Sequence, residues 1–341
     1  MKKILILLTI TVLLAACSSD SDPAVTNDGG RVPLQVTGYI ADFPIGITRA
    51  HDSSWDTGDE IGIYAVRINT KPLTLQSDQH APFKLKVVSG STDATDNHNL
   101  TYNFKAFFSN SPVYLPEDGS AIDVYGYYPY NADYTNPYAI PVNVSAQNSQ
   151  NAIDLMTSDK ENHTIHGDAS SPSINKANPS CQLLFHHRLT KLVFNLIHGG
   201  DFDSSDIEGA TSLTIGNQKT TATYDIYSDV LTCTGDANQA ISAVALATPN
   251  TVTVNETTKT YDKSFEAIVL PNNATTNPDV DRTVTIVVDG RSYTFTIAKP
   301  GSTEGKIKVN NTFEAGTKYI YNVTVYPFSV FVDPQKFTEQ W

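Results

Sequence analysis

The chain has 341 residues, of which 40% are hydrophobic and only 17% charged, and its formal net charge is −13. This length allows two domains with their own cores, and the excess of 36 acidic over 23 basic residues excludes the basic surface that a nucleic acid partner requires. The 17 Tyr and 14 Phe, with many Thr, Val and Ile residues, favour β-sheets, because aromatic and β-branched side chains pack well on pleated strands.

The first segment has the composition of an export signal. Two lysines precede an apolar run from Ile4 to Ala16, which is shorter than the roughly 20 residues that span a bilayer. Residues 1–16 are therefore predicted to be a cleaved signal peptide. The sequence LAAC, which ends at Cys17, resembles the lipobox of bacterial lipoproteins. This resemblance implies that the mature chain begins at Cys17 and is tethered to a membrane by lipid on that cysteine.

A polar, turn-rich spacer over residues 18–30 is followed by the first predicted strand. Apolar side chains alternate there with polar or small ones, which is the period of a strand with one buried face. These apolar residues are Val32, Leu34, Val36 and Ile40. The alternation continues through residues 43–47 and ends near Arg49.

Short predicted strands occupy most of the remaining chain. Examples are 61–68, 83–88, 102–108, 122–128, 183–197, 284–288, 293–297 and 319–326. Asp289-Gly290 lies between two of these runs and predicts a two-residue hairpin turn, since such turns need positive φ at both positions. No long stretch has the 3.6-residue period of a helix, so the sequence predicts an all-β fold of sandwich-like domains.

The longest polar stretch runs from Thr157 to Ser180 and predicts a domain boundary. We expect an N-terminal β-sandwich over 50–180 and a C-terminal one over 181–341. Cys181 and Cys233 are the two cysteines left after Cys17. They could form a disulfide in an exported protein, but each could equally be a buried small side chain.

Six phrases occur in an order that resembles a known family. They are TRA at 48–50, WDTGDEIGIY at 55–64, YGYYPY at 125–130, DLM at 154–156, LLFHHRLTKL at 183–192 and GTKYIYNVTV at 316–325. This set resembles the fimbrillin family of Bacteroidales, the lipoprotein precursors of surface (type V) pili. The resemblance implies two transthyretin-like β-sandwich domains in tandem, carried to the outer membrane on a lipid anchor.

The resemblance also implies a route of assembly. An arginine-specific surface protease would cut between Arg49 and Ala50 and release the propeptide, residues 17–49, with the first strand. The groove left by Val32, Leu34, Val36 and Ile40 would then accept a strand from another pilin subunit. Adding a strand satisfies both the free backbone groups of a sheet edge and its apolar pockets. The alternative is that Arg49 is an ordinary loop residue and the first strand stays in place.

The candidate donor strand lies at the C-terminus. After the run 319–326 and Pro327, a second apolar run leads to the end of the chain. Its candidate donor residues are Val330, Val332, Phe337 and Trp341. The alternative is that both end strands simply complete the second sandwich.

No catalytic, cofactor or metal motif is expected. His163 and His166 lie in the polar stretch, where solvated histidines are the default, and residues 201–206 form an acidic turn without the remaining ligands of a calcium loop. One of His186 and His187 is expected to be a satisfied core histidine. Trp55 and Tyr125 are expected to pack inside the fold, whereas Tyr134 and Tyr138 are expected to be exposed.

Two functions therefore remain open, and neither is enzymatic. The first is a structural pilus subunit that polymerises by strand exchange and supports adhesion to a host or bacterial surface ligand. The second is a lipid-anchored adhesin or lectin-like tip subunit that does not form the stalk.

Overall fold

A computed structural model describes the chain from Gly30 to Phe337 with gaps. The described residues are 30–40, 59–67, 83–87, 104–108, 112–158, 173–210, 212–254, 257–272, 275, 277–298 and 313–337. The chain divides into two compact units, Met1–Arg31 and Val32–Trp341, and all the elements below belong to the second.

The described residues form strands and two short helices. The first strands and helix are β1 (Gln35–Ile40), β2 (Glu60–Arg67), β3 (Phe83–Val87), β4 (Phe104–Phe108), β5 (Ile122–Tyr128), β6 (Ile140–Asn143), α1 (Gln150–Ile153), β7 (Met156–Ser158), β8 (Ser180–His187) and β9 (Thr190–His198). The next are α2 (Ser204–Glu208), β10 (Ser212–Gln218), β11 (Thr221–Asp225), β12 (Val230–Thr234), β13 (Gln239–Ser242), β14 (Val244–Ala245), β15 (Thr251–Val254) and β16 (Thr257–Thr260). The last are β17 (Lys263–Val269), β18 (Arg282–Val288), β19 (Arg291–Ile297), β20 (Thr317–Tyr326) and β21 (Ser329–Phe337). The predicted all-β class is confirmed.

The first part of the fold is a closed barrel in the order β1-β4-β3-β2-β5-β7-β8. It closes where β1 pairs in parallel with β8. The inner side chains of β1, β2, β5 and β8 form one buried apolar cluster, which includes Val36, Ile63, Val124 and Phe185.

The second part places a four-stranded sheet, β13-β10-β18-β19, opposite a five-stranded sheet, β14-β17-β9-β20-β21. Their inner side chains share a larger apolar cluster, in which the rings of Phe194 and Phe295 lie 6.4 Å apart. The predicted hairpin is confirmed, since Asp289 and Gly290 have φ values of 48° and 71° and join β18 to β19.

The sheets do not follow a single division of the chain at residue 180. β8 lies beyond it yet closes the barrel, and β6 lies before it yet pairs with β11. The division into two tandem transthyretin-like sandwiches stays a prediction.

The predicted single strand over 183–197 is wrong in one respect, because it is two strands. β8 ends at His187 and β9 begins at Thr190. Between them the Arg188 backbone N–H donates to the Leu155 carbonyl at 2.8 Å, and the chain passes from the barrel into the five-stranded sheet.

Two barrel strands are buried on both faces. On β2, Ile63 belongs to the barrel cluster while Tyr64 belongs to the cluster of the second part. On β5, Val124 belongs to the barrel cluster and Tyr127 belongs to the cluster of the second part. The barrel is therefore packed against the second part through its tyrosines.

Gln147 ties the segment after β6 to strand β17. Its Nε2 donates to the carbonyls of Val144 and Ile268 at 2.7 and 2.9 Å, and its Oε1 accepts from the Ile268 N–H at 2.8 Å. The residue is 5% exposed, so water does not replace these bonds easily.

Replacing Gln147 by Leu is expected to lower the free energy of unfolding by about 3 kcal/mol, because buried backbone groups of Ile268 lose their partner. Urea denaturation measures this loss. Gln239→Leu, at an exposed position of β13, is the control and should change stability by less than about 0.5 kcal/mol. Equal stability of the two variants would contradict the role given to Gln147.

Candidate functional site

The first strand is an integral part of the barrel. β1 pairs in parallel with β8 from Gln35↔Ser180 to Ile40↔Phe185, and antiparallel with β4. Just before β1, the Leu34 N–H donates to the Val113 carbonyl at 2.8 Å, and the Val32 carbonyl accepts from the Leu115 N–H at 2.9 Å. β1 therefore makes backbone hydrogen bonds on both sides.

The apolar side chains of this strand point into the barrel. Leu34, Val36 and Ile40 are 3%, 4% and 3% exposed, and Val32 is half-buried against the same cluster. The predicted alternation thus corresponds to a buried face, and the assignment of these residues as groove contacts stays a prediction.

The other wall of this candidate groove is β8, whose pairing with β1 the sequence did not predict. Its buried residues alternate as Cys181, Leu183, Phe185 and His187. This period was readable in the sequence, but only the parallel register shows that Cys181 lies opposite Val36. Within the described pairings, residues 180–184 of β8 pair with β1 alone.

Cys181 and Cys233 are both buried, and no disulfide joins them. Burial raises the pKa of the Cys181 thiol far above its ordinary value, and it raises the pKa of Cys233 to about 11. Because the thiolate is the reactive form, both thiols are expected to be inert in the folded chain.

The last two strands differ in position. β20 lies between β9 and β21 and pairs with both, whereas β21 is the outer strand of the sheet. Val330 and Val332 are half-buried and pack against the core cluster. Phe337 ends β21. Of the last two strands, β21 could therefore leave the sheet without separating two other strands, whereas β20 could not.

Several predicted residues lie outside the described part of the chain. They are Cys17, Arg49, Ala50, Trp55, His163, His166 and Trp341.

The tyrosine prediction is partly wrong. Tyr125 is buried as expected, but Tyr134 and Tyr138 are half-buried rather than exposed. The ring of Tyr134 lies 5.8 Å from the ring of Tyr127. The backbone carbonyl of Tyr134 accepts a hydrogen bond from the Tyr64 hydroxyl at 2.5 Å. Neighbouring Asn and Pro residues suggested a surface loop, yet this loop folds back over the tyrosines of β2 and β5.

The histidine prediction is confirmed for one residue. His187 is buried, and its Nδ1 lies 2.9 Å from Asp154 Oδ2. In the acidic turn, Asp203 caps α2 by accepting from the Ser205 and Asp206 N–H groups. A hydrogen bond from the Ser205 hydroxyl, together with these two backbone bonds, lowers the pKa of Asp203. Among the described residues, no group of three or more His, Cys, Asp or Glu side chains could hold a metal ion.

None of the helices in the described ranges is long and apolar enough to cross a membrane. The N-terminus instead matches a model of the prokaryotic membrane lipoprotein lipid attachment site over residues 1–18, which include Cys17. The chain therefore combines a lipid attachment site with an all-β fold, as a lipid-anchored protein does.

The family is shown by a match over most of the chain. A model described as fimbrillin-like matches residues 48–338, and the chain belongs to this family of cell-surface pilus subunits. A candidate fimbrium subunit of Bacteroides uniformis, Fim1C, is 29% identical over 342 residues, covering 98% of this chain and 93% of that protein.

Solved structures show the same fold. A candidate cell adhesion protein from Bacteroides uniformis has a TM-score of 0.61 at 23% identity, with 91% of this chain and 98% of that chain covered. Another from Bacteroides ovatus has a TM-score of 0.59 at 13% identity, with 91% and 98% covered.

Proposed function

We propose that this chain is a pilus subunit that reaches the outer membrane as a lipoprotein, is cut after Arg49 by an arginine-specific surface protease, and joins the next subunit by strand exchange. The observation that carries the proposal is the place of β1. It closes the barrel with a buried apolar face, and it lies between the lipid attachment site and Arg49.

The positions of the other arginines limit the competing sites. Arg188 bonds to Thr157 and Asp229, and Arg282 is buried. Proteases prefer exposed loop tips to paired strands, so the folded chain should protect the bonds after these two residues. Arg31 and Arg291 are exposed, and Arg291 directly follows the hairpin turn. The bonds after Arg31 and Arg291 are therefore the competing sites that the digestion has to exclude.

Digestion with an arginine-specific protease tests the proposal. The wild-type protein is expected to begin at Ala50 after digestion and to form SDS-resistant ladders, whereas Arg49→Ala should stay uncut and form no ladders. Arg31→Ala is the matched control and should behave like wild type. Cutting at Arg31 instead, or cutting without ladders, would contradict the proposal.

β21 is the proposed donor, because it is an edge strand whose Val330 and Val332 lie on one face. Deleting residues 328–341 is expected to abolish the ladders while leaving the cut after Arg49 unchanged. Ladders that persist without these residues would exclude β21 as the donor.

One observation favours the adhesin alternative. The last hairpin exposes three aromatic side chains, with Phe328 94%, Phe331 61% and Tyr326 37% exposed. Exposed apolar groups of this kind are typical of binding surfaces. A tip adhesin would stay a stable monomer in the protease experiment, and its binding to cells would weaken in Phe328→Ser.

A further inference from the structure

Strand β18 places one basic residue inside the core of the second part. Its buried residues alternate as Arg282, Val284, Ile286 and Val288, and Arg282 is only 1% exposed. The side chain of Arg282 therefore lies between the four-stranded and the five-stranded sheet, in line with apolar residues. Because a guanidinium is charged at neutral pH, a positive charge is buried between the two sheets.

The neighbours of Arg282 satisfy only part of its side chain. Nη1 donates to the Val280 carbonyl at 3.2 Å, and Nη2 donates to Asn272 Oδ1. The guanidinium carbon lies 4.5 Å from the centre of the Phe313 ring. All three partners are neutral. The remaining donor, Nε, is buried and has no hydrogen-bond partner among the described residues.

The described part of the chain does not balance the charge of Arg282. Asp279 is the acidic residue whose charge acts on it, but Asp279 is exposed and forms no ion pair with it. Burial lowers the pKa of Arg282 to about 10, so the side chain stays protonated at neutral pH. Charges inside proteins are normally paired, because an unpaired buried charge strongly destabilises the fold.

Tyr321 supplies a second donor from the opposite sheet. It lies on β20, where every second residue is buried and faces the core. Its ring stacks on that of Phe194 at 5.0 Å, and its hydroxyl is buried with no hydrogen-bond partner in the described ranges. Burial raises the pKa of Tyr321, and the nearby charge of Arg282 opposes this rise. The two unpartnered donors therefore lie in the same region between the sheets.

We propose that a small monovalent anion of the chloride class binds between Arg282 Nε and the Tyr321 hydroxyl. A halide ion accepts hydrogen bonds from both donors and also neutralises the guanidinium. A water molecule accepts the same hydrogen bonds but leaves the positive charge unbalanced. Both donors are fully buried, which favours a single-atom ion over a carboxylate or a phosphate.

The bound anion links the two sheets of the second part, because one donor belongs to β18 and the other to β20. An ion that binds only the folded chain stabilises it by mass action. Neither β1 nor β21 contributes a donor to this site. The inference is therefore independent of the cut after Arg49 and of strand exchange.

Thermal unfolding of residues 18–341 in sodium chloride and in sodium fluoride at equal concentration tests the site. The melting temperature is expected to be about 2–4 °C higher in chloride, because the strongly hydrated fluoride ion enters a buried site poorly. Surface effects of salts do not produce this order, since strongly hydrated anions generally stabilise folded proteins more. Arg282→Met should abolish the difference between the salts, and Tyr321→Phe should reduce it.

Tyr319→Phe is the matched control. Tyr319 is a buried tyrosine of the same strand, but its hydroxyl already accepts from the Glu314 N–H at 3.1 Å. The difference between chloride and fluoride should therefore persist in this variant. Equal melting temperatures of the wild type in the two salts would overturn the proposal, as would a chloride effect that survives Arg282→Met.

A crystal soaked in sodium bromide tests the position of the ion directly. An anomalous peak is expected between Arg282 Nε and the Tyr321 hydroxyl. A water molecule at this place would overturn the proposal. A bromide peak without any difference in melting temperature would indicate an adventitious ion only, and it would overturn the proposal as well.

Discussion

Removing β1 after a cut at Arg49 is expected to turn Cys181 from an inert into a reactive thiol. Cys181 lies opposite Val36 of β1 and is 3% exposed. Once the strand leaves, water reaches the thiol and its raised pKa returns toward about 8.5. In a protein of residues 18–341 with Cys233→Ser, Cys181 is the one cysteine left. Its rate of maleimide labelling at pH 8 should rise by at least about a hundredfold, because the thiolate is the reacting form.

The control is the same protein with Arg49→Ala, treated with the same protease. Its labelling should stay slow throughout. Adding a peptide of residues 327–341 to the cut protein should protect Cys181 again if β21 is the donor. Fast labelling before the cut would show that β1 does not cover Cys181, and slow labelling after its loss would show that no groove opens.

The stability that the subunit loses with β1 follows from the burial of this strand's apolar side chains. Leu34, Val36 and Ile40 are almost completely buried, and each contributes about 1.5–3 kcal/mol. Their sum is close to the whole stability of a typical domain, about 5–15 kcal/mol. A subunit without β1 therefore has a strong tendency to take up a replacement strand or to aggregate.

The second large effect is expected at Gly62 on β2. A Cβ atom added there would lie 2.1 Å from Cζ of Tyr127, whose ring is stacked 5.2 Å from that of Tyr64. Gly62→Val should lower the free energy of unfolding by about 3 kcal/mol or more, because the tyrosines cannot move away within a packed core. Urea denaturation measures the change.

Gly216→Ala is the matched control for this strand glycine. A Cβ atom there meets its nearest neighbour at 3.6 Å, an ordinary contact. This change should be neutral or slightly stabilising, since alanine restricts the unfolded chain more than glycine does. If Gly62→Val were tolerated as well, the packing between the barrel and the second part would be looser than the structure shows.

Local pattern was sufficient to predict strands but not their partners. The alternation from Val32 to Ile40 and the turn at Asp289-Gly290 both depend on neighbouring residues, and both were predicted correctly. The pairing of β1 with β8 joins residues more than a hundred positions apart. Periodicity contains no information about such pairs, so the groove wall at Cys181 could not be predicted.

The tyrosines illustrate a second limit. Tyr64 and Tyr127 lie on strands whose two faces are both buried, and a period of two cannot show that the outer face meets another part of the fold. For the same reason Tyr134, in an apparently polar loop, was expected to be exposed. The packing of the barrel on the second part of the fold overrides the local sequence signal at these tyrosines.

The mixed pairing of β1 has a consequence for the direction of a filament. One rim of the groove is the parallel partner β8 and the other is the antiparallel partner β4, so the two ends of the groove differ. A strand from the next subunit that reproduces this pairing can enter in one orientation only. Every contact between subunits would then have the same direction, and the pilus would be a polar fibre whose two ends differ.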